Sequence, residues 1–179
     1  MTIDPVIAAA LRVLLALLFA TAAAHKLVDF TAFRIVLHDY HVLPLALVTP
    51  ATVLVIATEI ALAAALPWSA SGSVAAWAAV GLLVVYSLGI AINLLRGRRT
   101  LECGCAPSTY RQPLNEWLLF RNAVLISAAL ALTLPRLSRS LAWLDAVTFI
   151  GMVAAGSAAW VALQRLLALE PRLAVRGAS

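Results

Sequence analysis

Apolar residues gather into five stretches, each close to the roughly 20 residues that an α-helix needs to cross a bilayer core. They run over about 5–24, 45–66, 74–95, 117–134 and 141–163, with short polar links between them. The pattern predicts an all-α integral membrane protein, one transmembrane domain over 1–179, with a four-helix bundle core and a fifth helix added. Asp4-Pro5 is a good helix start, because Asp accepts orphan N–H bonds as N-cap and Pro loses nothing at N1. Between Leu27 and Leu43 the period changes character: Phe30, Phe33, Leu37 and Tyr40 recur at three- and four-residue steps among Asp29, Arg34, His38 and Asp39. That spacing suits an amphipathic helix lying in the membrane interface after helix one, the alternative being a mobile loop. Pro67-Trp68 with Ser69, Ser71, Gly72 and Ser73 makes a polar turn, Pro135 ends helix four, and a polar tail runs from Gln164.

Composition strengthens this picture. With 64% hydrophobic and 12% charged residues and a mean hydropathy of +0.99, the 179-residue chain is too apolar for a soluble domain. The first apolar run lacks a basic start and a small-residue cleavage site, so it reads as a permanent helix. The net charge of +5 does not point to nucleic acid, because the arginines lie in short loops where basic residues set membrane orientation. With five spans, one side collects Lys26, Arg34, Arg96, Arg98, Arg99, Arg111, Arg121, Arg165, Arg172 and Arg176, against Arg12, Arg136 and Arg139 on the other. The positive-inside rule then puts the N-terminus outside and the loop after helix three in the cytoplasm.

Charged groups inside a bilayer are expensive and therefore informative. Arg12 lies 13 residues before His25 and Glu59 lies 15 after Pro44, so both are expected about 20 Å from the same face at 1.5 Å per residue. An intramembrane Arg12–Glu59 pair follows, with Asp145 as a third member. Such a pair fixes helix orientation, or Glu59 titrates as a proton carrier. A second polar set, His25, Asn93, Arg121 and Asn122, converges by topology in the leaflet nearest the loop after helix three.

That loop holds the two cysteines of the chain, in Glu102-Cys103-Gly104-Cys105-Ala106-Pro107. Three chemistries are open. A disulfide between residues two apart needs a bent backbone, which Gly104 permits, and the small strained ring would be exchange-labile. Nearby arginines favour a thiolate while Glu102 opposes it. Two thiolates also suit a soft metal, though a full zinc site would need more ligands, with only His25 or His41 near, and none is expected. The third reading is a pair of inert small residues.

The chain resembles the MauE family of methylamine-utilisation membrane proteins, which belongs with the DoxX-like four-helix proteins. The resemblance rests on His25-Lys26-Leu27 with Asp29 and Phe33, on Tyr40 to Pro44, on Glu59, on Cys103-Gly104-Cys105, and on Trp117 with Arg121-Asn122. It covers about residues 5 to 134. The sequence departs from the family pattern after the second cysteine, with Ala106-Pro107 where Phe-Gly is common. What the resemblance implies is maturation of a periplasmic quinoprotein dehydrogenase whose small subunit is rich in disulfides, alongside a thioredoxin-like partner, in the bacterial inner membrane. A membrane thiol–disulfide exchange factor using Cys103 and Cys105, supported by His25, Asn93, Arg121 and Asn122, is the resulting expectation. No cofactor is expected, and a bound quinone is left open. The alternatives are a soft-metal or small-solute transporter using the cysteines for capture, and a non-catalytic assembly subunit. A periplasmic partner pulls the cysteine loop outward, against the arginine count.

Overall fold

The computed structural model describes residues 2–68, 72–98, 101 and 114–176, with 167–176 as backbone alone. Among these residues six helices follow in order: α1 Pro5–Val28, α2 Phe30–Asp39, α3 Leu45–Ala65, α4 Gly72–Leu95, α5 Glu116–Ala131 and α6 Trp143–Arg176. Among the described residues there is no strand, only an isolated bridge between Ile3 and Arg136. Among the described residues four helices are long and apolar enough to cross a membrane: α1, α3, α4 and the first 24 residues of α6. Helix α5, with 16 residues, reaches only about 24 Å, short of a 30 Å bilayer core.

Local chemistry sets several boundaries. Asp4 caps α1 by accepting from Val6 N at 2.8 Å, with Pro5 in the first turn. Helix α1 runs four residues past the expected end at Ala24, because His25, Lys26 and Leu27 are compatible with helix. It stops at Asp29, which closes α1 and caps α2 at once by accepting from Ala32 N at 3.2 Å. Asn115 caps α5 by accepting from Leu118 N at 3.2 Å. Helix α6 continues through the stretch expected to be a polar tail, to Arg176.

Helix α2 differs from the expectation of a helix lying in one plane. It packs along α3 as the rising arm of a hairpin. At its start Phe33 shares Lys26 with Tyr86 of α4. At its end the backbone oxygens of Tyr40 and His41 accept from Arg96, just past the end of α4. Tyr86 and Arg96 are ten residues apart, about 15 Å of helical rise, so α2 climbs along the bundle.

The core is made by α1, α3, α4 and α5. Phe19, Leu15, Ala8 and Ala16 of α1 meet Leu62 of α3, Ala75, Ala76, Ala79 and Leu83 of α4 and Ala129 of α5. Alanines at the contact let backbones approach, which is how helices gain packing in a solvent as apolar as their own leucines. The outward positions are apolar too: Leu54, Trp77, Val85 and Ile150 are all more than half exposed, as befits a surface wetted by lipid. Helix α6 lies on α1 through Gly156, where an added Cβ would sit 2.8 Å from Leu14 Cδ1. A smaller apolar cluster of Tyr40, Ile90, Leu114 and Leu118 closes one end of the bundle.

At the opposite end the N-terminal residues are tied to the α5–α6 link. Ile3 N donates to Pro135 O at 3.0 Å and Leu137 N donates to Ile3 O at 2.9 Å. Arg139 bridges two carboxylates, donating from Nε to Asp4 Oδ2 at 2.8 Å and from Nη2 to Asp145 Oδ1 at 2.7 Å. Hydrogen bonding to Arg139, and then to the Val6 amide, holds the Asp4 carboxyl below its usual range. Asp145 is thereby engaged with Arg139 and not with an Arg12–Glu59 pair.

Candidate functional site

Glu59 is fully buried, with a cation beside it: Lys26 Nζ donates to Glu59 Oε1 at 2.5 Å, the two side chains 3% and 0% exposed. Tyr86 OH donates to the same oxygen at 2.6 Å. The ammonium also stands over two aromatic faces, 4.9 Å from the Phe33 ring centroid and 5.4 Å from that of Tyr86. Each contact offsets part of the cost of keeping ions out of water.

The sequence expectation paired Glu59 with Arg12, and the structure gives Lys26 in its place. Depth explains the difference. Equal rise from one plane would set Arg12 opposite Glu59, but α1 and α3 do not start from one plane, and it is the last turn of α1 that lies opposite Glu59. Arg12 is 14 residues from Lys26, about 21 Å further along α1. There Arg12 is buried, its Nε without a hydrogen-bond partner among the described residues.

Glu59 forms part of the wall of a cavity of about 330 Å³, bounded by α1, α3, α4, α5 and α6. His25, Tyr86, Arg121, Asn122 and Gln164 share that wall with Phe19, Leu83, Leu125 and Trp160. Arg121 is 6% exposed and Asn122 1%. The Arg121 guanidinium carbon lies 5.5 Å from the Trp160 ring centroid, and Asn122 Nδ2 donates to Ser87 Oγ at 3.3 Å. A second cavity of about 260 Å³ lies between α5 and α6, almost wholly apolar, and shares Arg121, Leu125 and Trp160 with the first.

Of the polar set read from sequence, His25, Arg121 and Asn122 therefore meet at one cavity. Asn93 does not line it. Asn93 is buried and donates to Gly89 O at 3.0 Å, while its Oδ1 has no hydrogen-bond partner among the described residues. Tyr86 and Trp160 were not singled out by sequence reasoning, and Lys26 entered only among the residues that carry the family resemblance and as a cation of the loop side. A lysine in the last turn of an apolar helix reads as an interfacial anchor, and the signal against that was Glu59 inside a span, with Lys26 as well as Arg12 on the helix that packs against it.

Cys103 and Cys105 lie outside the described residues, as do Glu102, Arg99 and Arg111. The residues on either side are described: Leu114 N donates to Leu101 O at 2.9 Å, Leu114 belongs to the apolar cluster at the end of the bundle, and Leu101 packs against it. Leu118 of that cluster is one helical turn from Arg121 and Asn122. Among the described residues no three His, Cys, Asp or Glu side chains come together as a metal site would require.

Comparison with known proteins gives a consistent result. Residues 4–135 match the family described as "Methylamine utilisation protein MauE", a span that holds α1 to α5 and stops short of α6. A protein of Paracoccus denitrificans named "Methylamine utilization protein MauE" is 42% identical over 136 residues, 73% of this chain and 70% of the relative. Its namesake in Paracoccus versutus is 44% identical over 128 residues, 71% and 68% of the two chains. The one in Methylorubrum extorquens is 34% identical over 129 residues, 72% and 69%. No solved structure matches.

Proposed function

The chain belongs to the MauE family of methylamine utilisation proteins, and on that premise we propose that it is a membrane thiol–disulfide exchange factor serving methylamine utilisation. Cys103 and Cys105 are the exchanging pair, and a thioredoxin-like protein is the partner. The end product is a correctly disulfide-bonded subunit of a periplasmic dehydrogenase. The protein lies in the bacterial inner membrane with five passes. In support of the fifth, α5 starts beside the end of α4, and Pro135, four residues past α5, is bonded to Ile3 at the head of α1.

The observation that carries this reading is the hydrogen-bonded pair Leu101 and Leu114 at the root of the only cysteine-bearing segment. That root rests on a packed cluster, whose Leu118 is one turn from the buried Arg121 and Asn122. Fixed positive charge favours the thiolate, the form that attacks a disulfide sulfur. The exchange balances internally. One thiolate attacks the partner's disulfide to form a mixed disulfide, and the second thiol resolves it. Two electrons and two protons pass to the partner, whose dithiol is released as the Cys103–Cys105 disulfide closes; the reverse direction oxidises the partner.

The test is a pair of serine variants in cells making the thioredoxin-like partner. Of Cys103→Ser and Cys105→Ser, the one that removes the resolving cysteine traps a mixed disulfide with the partner, visible as a reducible higher band on a gel, and the one that removes the attacking cysteine does not. Changing both abolishes the band and shifts the partner's redox state. A doubly substituted chain that leaves that redox state unaltered refutes the exchange role.

A further inference from the structure

We propose that the cavity walled by Glu59, Arg121 and Arg165 holds the phosphate of an anionic phospholipid, taken up from the leaflet at this end of the bundle. The site needs neither cysteine and is independent of thiol exchange.

Its level in the membrane is set by two helix ends. His25, on the cavity wall, lies in the last turn of α1. Gln164 and Arg165, on the same wall, lie in the last turn of the apolar span of α6, which ends at Leu166. His25 and Arg165 are exposed. Exposed polar side chains at the ends of two apolar spans mark the level at which headgroups meet water. The cavity, of about 330 Å³, therefore stands beside headgroup phosphates.

Charge decides the sign of what enters. Glu59 is the one carboxylate on the described wall, and it is already answered by Lys26 Nζ at 2.5 Å and by the Tyr86 hydroxyl at 2.6 Å. Arg121 and Arg165 stand on that wall as well, so cations outnumber carboxylates around the cavity. Arg165 makes no ion pair among the described residues. Arg121 is 6% exposed, with its guanidinium carbon 5.5 Å from the Trp160 ring centroid. A planar guanidinium fork matches paired phosphate oxygens, and basic pockets between transmembrane helices bind anionic lipid headgroups.

The rest of the wall separates a lipid from a free anion. Leu18, Phe19, Leu83 and Leu125 line the cavity together with the arginines. Val161 of α6 lines it while being 50% exposed, so the wall is continuous with the lipid-facing surface. Helix α6 packs along α1 and stands off α5. A hydrated inorganic phosphate loses water against apolar side chains and gains nothing from them, whereas the glycerol and upper acyl chains of a phospholipid match them.

For the test, the purified chain in dodecyl maltoside is titrated with phosphatidylglycerol, and lipid retained on the intact protein is read by native mass spectrometry. Saturable binding of one lipid is expected, with phosphatidylcholine bound about tenfold more weakly. Arg121→Gln and Arg165→Gln are each expected to raise the dissociation constant about tenfold, the worth of one charge-assisted hydrogen bond. Should Arg121→Gln fail to fold, the exposed Arg165 decides alone. Arg34→Gln removes an equal charge from an exposed position on α2, outside the cavity, and is expected to leave the affinity unchanged. Equal affinity for the two lipids, unchanged affinity in Arg165→Gln, or an equal loss in Arg34→Gln overturns the site. Inorganic phosphate in excess is expected to displace no lipid. Displacement would assign the cavity to a soluble anion and overturn the phospholipid.

Discussion

Lys26 and Glu59 show how much one ion pair can determine when it is buried. A carboxylate in the middle of an apolar bundle is tolerable only with a cation and hydrogen bonds around it, and here Lys26 and Tyr86 both donate to one oxygen. Removing either partner strands a charge. Lys26→Met or Glu59→Leu alone is expected to cost about 3 kcal/mol or more, while the double substitution, which leaves no orphan charge, costs less than either. Thermal unfolding in detergent reads the order directly. Single variants as stable as the starting chain would mean that the pair is solvated and does not behave as a buried pair. The contrast with Arg139 is instructive. Its bridges to Asp4 and Asp145 are at the end of the bundle and partly exposed, so they tie two segments together where water and salt already weaken them.

At the scale of elements, the joint at Asp29 and the contact at Gly156 decide where everything else lies. Asp29 turns α1 into α2 without a loop, and so brings the last turn of α1 to the depth of Glu59. Gly156 lets α6 come against Leu14 of α1, and the same approach brings Trp160, one turn later, to the cavity wall. Gly156→Ala is expected to be tolerated, because the crowded atoms are the mobile tips of Leu14. Gly156→Leu is expected to destabilise by about 1–3 kcal/mol, with part of the loss recovered by adding Leu14→Ala. The stability of the three variants in the same detergent checks this, and full stability of Gly156→Leu would show that α6 is not held at this contact.

For the whole molecule the open variable is orientation, and the charges argue for one answer. If the chain makes the five passes proposed above, ten of its 13 cationic residues fall on the cysteine side, Lys26 and Arg121 among them being buried in the bundle, and the positive-inside rule would assign that side to the cytoplasm. The chain has only two cysteines, so a thiol reagent reads that segment alone. A membrane-impermeant maleimide is expected to leave intact cells unlabelled and to label the protein once the inner membrane is permeabilised. Labelling of intact cells would put the pair in the periplasm and make the arginine count a poor guide here.

Residue order by itself determined that the chain is helical and membrane-bound, where α3 and α4 run, that Asp4 and Pro5 open α1, and that His25, Arg121 and Asn122 belong near one another. Those conclusions depend on composition, on the 3.6-residue period and on the side of the bundle each loop must occupy, all of which are local or topological. Only the tertiary structure decided that Glu59 meets Lys26 and not Arg12, that α2 climbs along the bundle, and that α6 closes a cavity with Trp160. Each of those turns on the depth at which one helix ends relative to its neighbour. Helical rise is fixed at about 1.5 Å per residue, but the plane from which to count it is set by a joint and by packing, and neither can be read from the spacing of residues along one helix.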